Sequence, residues 1–145
     1  MEATEKTKIT VQAMIDAPIE TVWKCWTTPE YIIKWNYASD DWQSPWAVND
    51  LRVGGTFDYR MEAKDRSDGF DFGGVYDKVI TNELIEYTLG DDRKVQVVFK
   101  VLGNKTEIVE TFEAEGTNPI DVQQNGWQTI LNNFKNCAEH MLIKA

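Results

Sequence analysis

Residues 118–145, NPIDVQQNGWQTILNNFKNCAEHMLIKA, read as one long amphipathic helix, and the remaining segments read as material for a sheet that wraps it. Counted from Trp127, apolar side chains fall at Ile130, Leu131, Phe134, Cys137, Ala138 and Met141, the spacing of a single helical stripe. Each large apolar side chain gains roughly 1.5–3 kcal/mol on burial, so the helix is stable only when this stripe is covered. Asn118 can cap the helix, Pro119 suits its first turn, and Asp121 sits at the positive end of its dipole. Gly126 breaks the pattern. A glycine inside a helix costs about 1 kcal/mol relative to alanine, so it marks either a close backbone approach or a helix that begins only at Trp127.

Upstream, Ile9, Val11, Ala13 and Ile15 alternate with Lys8, Thr10, Gln12 and Met14, the period of a half-buried strand. Asp16-Ala17-Pro18 opens a short helix with Ile19, Val22, Trp23 and Trp26 on one face, and Thr28-Pro29-Glu30 opens a second that runs through Trp35. Residues 36–49 show no clear period and are expected to form in part a loop at a cavity mouth. Strands are then expected at 56–62, through Phe70, Phe72, Tyr76 and Val79, and at 84–89, 94–102 and 106–114. Gly54-Gly55, Gly90-Asp91-Asp92 and Gly103-Asn104 supply turns, and Gly73-Gly74 predicts a bulge or bend within a strand. Hairpin-linked strands pair antiparallel, and a sheet with one apolar face needs the one long helix to cover it. The expectation is an α+β chain, residues 1–145 as one domain.

Composition excludes several functions. The 145 residues carry a net charge of −9, which repels phosphate backbones and anionic surfaces, so nucleic acid is not an expected partner. No apolar run approaches the ~20 residues of a membrane span and the N-terminus lacks a secretory apolar core, so a cytoplasmic protein is expected. Cys25 and Cys137 are the only cysteines and read as reduced thiols packed as small hydrophobes. His140, the single histidine, falls about 220° around the helix from Trp127 and is expected in solvent. Neither a metal site nor a catalytic motif is legible, and no cofactor is expected.

Two features point to a binding site. If the strand over 106–114 alternates regularly, Glu110 shares the inner face with Ile108 and Phe112; the alternative is an edge position or a bulge that turns it outward. Aromatics make up 12% of the chain, and Trp35, Trp42, Phe57, Tyr59, Phe72, Tyr76, Trp127 and Phe134 either line a cavity or fill it.

The stretch Ala17-Pro18-Ile19-Glu20-Thr21-Val22-Trp23, with Thr28-Pro29-Glu30 and Trp35 behind it, resembles the opening of START-like domains. This superfamily, also called SRPBCC, includes lipid-transfer proteins, birch-pollen-type allergens and polyketide cyclases. Asp50-Leu51-Arg52-Val53-Gly54-Gly55, Phe72-Gly73-Gly74-Val75-Tyr76 and Gly126-Trp127-Gln128-Thr129-Ile130-Leu131 together resemble the branch named after the activator of the ninety-kilodalton heat-shock chaperone ATPase (AHSA-like). The resemblance implies a helix-grip fold, a curved seven-stranded antiparallel sheet around the C-terminal helix with an apolar cavity between them. The leading expectation is non-enzymatic binding of a small hydrophobic or amphipathic ligand. A chaperone partner is the second, and a cyclase-like enzyme using Glu110 and cavity tyrosines the third. The resemblance also implies that in the co-chaperone this kind of domain follows a separate N-terminal domain that supplies much of the chaperone contact; one is not expected within these 145 residues.

Overall fold

Residues 7–37, 40–116 and 118–141 are described by a computed structural model. The elements follow in the order β1 (Lys8–Ile15), α1 (Ile19–Thr27), α2 (Pro29–Ile32), β2 (Trp42–Gln43), β3 (Ala47–Asn49), β4 (Thr56–Ala63), β5 (Gly69–Ile80), β6 (Leu84–Leu89), β7 (Lys94–Leu102), β8 (Lys105–Glu113) and α3 (Ile120–Met141). All strands join one antiparallel sheet, β1-β8-β7-β6-β5-β4-β2, with β3 also paired to β4. The eight strands therefore occupy seven positions, because β2 and β3 are two short pieces along the same edge of β4. They fall in the stretch without a clear period: two- and three-residue strands are too short to show one.

Alternation decides the faces. Ile9, Val11 and Ile15 of β1, Val95, Val97 and Phe99 of β7, and Ile108 and Phe112 of β8 are buried on one side, under α3. The helix lays Leu131, Phe134 and Ala138 fully into the core, with Trp127, Ile130 and Cys137 packed beside them. That is the predicted stripe. Met141 closes the described helix, and the predicted continuation over 142–145 lies outside the described residues. Polar side chains fasten the helix flank to β1: the Lys135 ammonium donates to the Met14 carbonyl at 2.7 Å and the Gln128 amide to the Gln12 carbonyl at 3.1 Å.

Three local expectations are corrected. The predicted second helix stops at Ile32, and the chain reaches Trp35 through tight turns, Lys34 N–H to Tyr31 O and Trp35 N–H to Ile32 O. In α1 the buried residues are Ile19, Val22 and Cys25, so the stripe is rotated and Trp23 and Trp26 lie at its edge. The irregularity in β5 falls between Tyr76 and Lys78 rather than at Gly73-Gly74. Those glycines admit close backbone contact instead: a Cβ on Gly73 would lie 2.5 Å from the Phe57 carbonyl oxygen, and one on Gly74 would lie 2.4 Å from that of Thr88.

Candidate functional site

The curved sheet and α3 do not meet everywhere. Toward the N-terminal half of the helix they enclose a cavity of about 360 Å³, within the range of small-molecule sites. Its floor comes from the inward positions of β4, β5 and β6: Phe57, Tyr59, Phe72, Tyr76 and Tyr87. Trp127 and Ile130 of α3 form the roof, and Trp26 and Trp35 close one end. The rings support one another edge to face, with Phe57 4.8 Å from Tyr87 and Phe72 5.9 Å from Trp127 between centroids. Gly126 resolves its own puzzle here. The helix runs through it from Ile120, a Cβ added to it would meet no atom within 4 Å, and it lines the cavity, so the missing side chain leaves space under the roof.

Glu110 sits in this apolar enclosure. It is 6% exposed, shares the buried face of β8 with Ile108 and Phe112, and lines the cavity. Its carboxyl faces the cavity space and makes no hydrogen bond to a described residue. Burial alone pushes its pKa up to about 8, so it holds its proton at neutral pH and is a hydrogen-bond donor as well as an acceptor. A second unpartnered group lies in the same wall: the Asn36 Nδ2 is buried with no acceptor. The Tyr87 hydroxyl, on the floor, likewise makes no hydrogen bond to a described residue, and burial raises its phenol; several other polar tips are paired. Tyr76 donates to Asn49 Oδ1 at 2.6 Å, and Asn49 Nδ2 in turn donates to the Thr27 carbonyl at 2.7 Å, tying β5 through β3 to α1. The Tyr59 hydroxyl neighbours that of Tyr76, and burial raises both phenols, Tyr76 to about 12. At the rim Arg93 is paired with Asp91 at 2.7 Å, and the Gln123 amide knits the loop before α3 by donating to the Asn118 carbonyl at 2.8 Å and accepting from Glu115 N–H at 2.9 Å. Asn118, expected to cap the helix, donates its side-chain amide to Glu115 instead.

Of the nine residues singled out in the sequence, Trp35, Phe57, Tyr59, Phe72, Tyr76, Glu110 and Trp127 are brought together around this space. Two are not. Phe134 is fully buried on the α1 side of the helix, 4.9 Å from the Trp26 ring and 5.0 Å from that of Trp35, because its position on the stripe points at the short helices. Trp42 lies on the outer edge strand, its ring 6.0 Å from Phe70, beside the β4–β5 turn. Sequence reasoning missed Trp26, Tyr87 and Asn36. Tyr87 was within reach, since it alternates with Ile85 and Leu89 on one face of β6; Asn36 follows a four-residue helix and carries no periodic signal.

His140 is exposed, its Nδ1 2.6 Å from the Asn136 carbonyl oxygen. Among the described residues no group of three or more His, Cys, Asp or Glu side chains is placed to hold a metal ion, and no helix is long and apolar enough to cross a membrane.

Comparison with known proteins gives a consistent picture. The profile of the family described as Activator of Hsp90 ATPase homolog 1-like protein matches residues 16–139. The solution structure of an AHSA1-like protein from Aeromonas hydrophila is similar with a TM-score of 0.88 and 41% identity, over 93% of this chain and 94% of that one. A Cytophaga hutchinsonii protein is 56% identical, with a TM-score of 0.80, over 95% of this chain and 96% of that one. A Chromobacterium violaceum protein shares the fold at 23% identity, TM-score 0.82, over 92% and 98% of the two chains. A search of curated proteins gives no significant match.

Proposed function

The chain belongs to the Activator of Hsp90 ATPase homolog 1-like family, and on that premise we propose that the cavity under α3 binds a small molecule, apolar and aromatic over most of its surface, whose polar end meets Glu110. The observation that carries this reading is the Glu110 side chain, 6% exposed on the cavity wall with no hydrogen bond to another described residue, beside the buried and unpaired Asn36 Nδ2. A buried polar group left unpaired costs about 1–3 kcal/mol, and a stable core has no use for one. A ligand oxygen accepting from protonated Glu110, with a second accepting from Asn36 Nδ2, satisfies both groups while the rings enclose the rest. Binding alone accounts for the arrangement, and no reaction is invoked.

Two measurements test it. Native mass spectrometry of protein purified from its own organism is expected to show a co-purifying small molecule. In tryptophan-fluorescence titrations, 2-acetylnaphthalene is expected to bind about tenfold more tightly than naphthalene, the worth of one added hydrogen bond. Glu110→Leu is expected to abolish that preference. No co-purifying molecule in repeated preparations, together with no response to either probe, overturns the proposal.

The family description favours a second reading, a protein-interaction role beside a chaperone ATPase, in which the acidic surface meets a basic partner. Stimulation of the Hsp90 ATPase by the purified chain would support it; an unchanged ATPase rate would remove it.

A further inference from the structure

Outside the cavity, the fold brings the only two cysteines together from 112 positions apart. Cys25 on α1 is fully buried, Cys137 on α3 is partly exposed, and their sulfurs lie 3.6 Å apart with the Cys25 thiol donating to Cys137 Sγ. We propose that Cys137 and Cys25 form a two-cysteine site at which a hydroperoxide is reduced and the two thiols join as a reversible disulfide.

Position and surroundings divide the roles. Cys137 is the less buried residue of the two, and it has the Cys25 S–H to stabilise its anion. The ammonium of Lys34, beyond α2, adds positive field. The Cys25 hydrogen bond, followed by the Lys34 charge, holds the Cys137 thiol below its ordinary value against the opposing effect of burial. The negative end of the α3 dipole also works against the anion, which makes the donated hydrogen bond and the nearby ammonium necessary to it. Cys25 is pushed the other way by the same hydrogen bond and by its burial, and keeps its proton. One sulfur is thus a nucleophile at neutral pH, and its neighbour is a shielded thiol in contact with it.

The chemistry closes without a metal or a further cofactor. The Cys137 thiolate attacks a peroxide oxygen, forming an S–O bond and breaking the O–O bond, and the departing hydroxide or alkoxide takes a proton from water. Cys25 sulfur then attacks the Cys137 sulfenic acid. The S–S bond forms, the S–O bond breaks, and hydroxide leaves with the Cys25 proton as water. The two thiols give up two electrons, the hydroperoxide is reduced to water or an alcohol with water, and a dithiol reductant restores the pair. The product ties α1 to α3. Cys25 also accepts the Trp35 indole N–H on its carbonyl at 3.1 Å and is followed by Trp26, so the bond forms next to the closed end of the cavity.

The test uses the full chain under native conditions with hydrogen peroxide and intact-mass analysis. Wild type is expected to lose about 2 Da, recovered by dithiothreitol, with the 25–137 link found by peptide mapping. Cys25→Ser is expected to stop at the sulfenic acid, trapped on Cys137 by dimedone, and Cys137→Ser to give no adduct on Cys25. Should either variant fail to fold, Cys25→Ala and the wild-type iodoacetamide rate against pH take their place, the rate on Cys137 rising with a midpoint below that of an ordinary thiol. Oxidation that runs to sulfinic acid without a link, equal reactivity of the two cysteines, or a link formed only after denaturation each overturns the proposal. None of these outcomes depends on whether the cavity binds a ligand.

Discussion

The indole of Trp127 lies face to face with the ring of Phe112, centroids 3.8 Å apart and planes 10° from parallel. This pair pins the N-terminal half of α3 over β8, two residues along the strand from Glu110. Beside the cavity the helix is thus held by this stacked pair, by the edge contact of Trp127 with Phe72 and by the Gln128 amide on β1. Trp127→Ala is expected to destabilise the fold by about 2–4 kcal/mol, with Trp127→Phe keeping part of the loss back. Urea unfolding followed by circular dichroism measures both.

Glu110 makes stability depend on pH in a defined direction. Its carboxyl has an ordinary value of 4.5 and rises to about 8 in the fold. Between those limits the folded chain holds a proton that the unfolded chain has lost, so this group's contribution falls as pH rises across the window and is complete only below about 4.5. Glu110→Gln removes the dependence. The variant is expected to match wild type near pH 5 and to exceed it by about 2–4 kcal/mol near pH 8. Urea midpoints across that range decide it, and a constant difference would contradict the assignment.

Gly126 separates stability from cavity size. Gly126→Ala adds helix propensity and its Cβ meets no atom within 4 Å, so a gain of about 0.5–1 kcal/mol in unfolding free energy is expected. Gly126→Phe is expected to fill the space under the roof and to weaken naphthalene-probe binding at least tenfold while the chain stays folded.

The two aromatics outside the cavity differ sharply in what they hold. Phe134→Ala empties a fully buried position between Trp26 and Trp35 and is expected to cost about 3–5 kcal/mol. Trp42→Ala, on the edge strand, is expected to stay within about 1 kcal/mol of wild type. Thermal unfolding of the pair, side by side, checks the contrast.

What could be read in advance was whatever rests on a local repeat. The stripe from Trp127 to Ala138 marks which helix face is covered, and period two puts Glu110 beside Ile108 and Phe112 if the alternation of β8 is regular, which it is. Those readings succeed because a helix or strand imposes its periodicity on each side chain through the backbone alone. β2 and β3 were too short to carry such a signal, and Asn36 follows a turn that has none.

Amino-acid order by itself determined the order of the long strands and of α3, the apolar faces of α3 and β8, and membership in a recognisable fold. Only the tertiary structure decided that Phe134 turns toward α1 while Trp127 roofs a space, that Gly126 leaves that space open, that Glu110 finds no partner there, and that Cys25 and Cys137 touch. Each of these depends on how one element is rotated and seated against another. That relation arises from packing many side chains at once, and no repeat within a single segment encodes it.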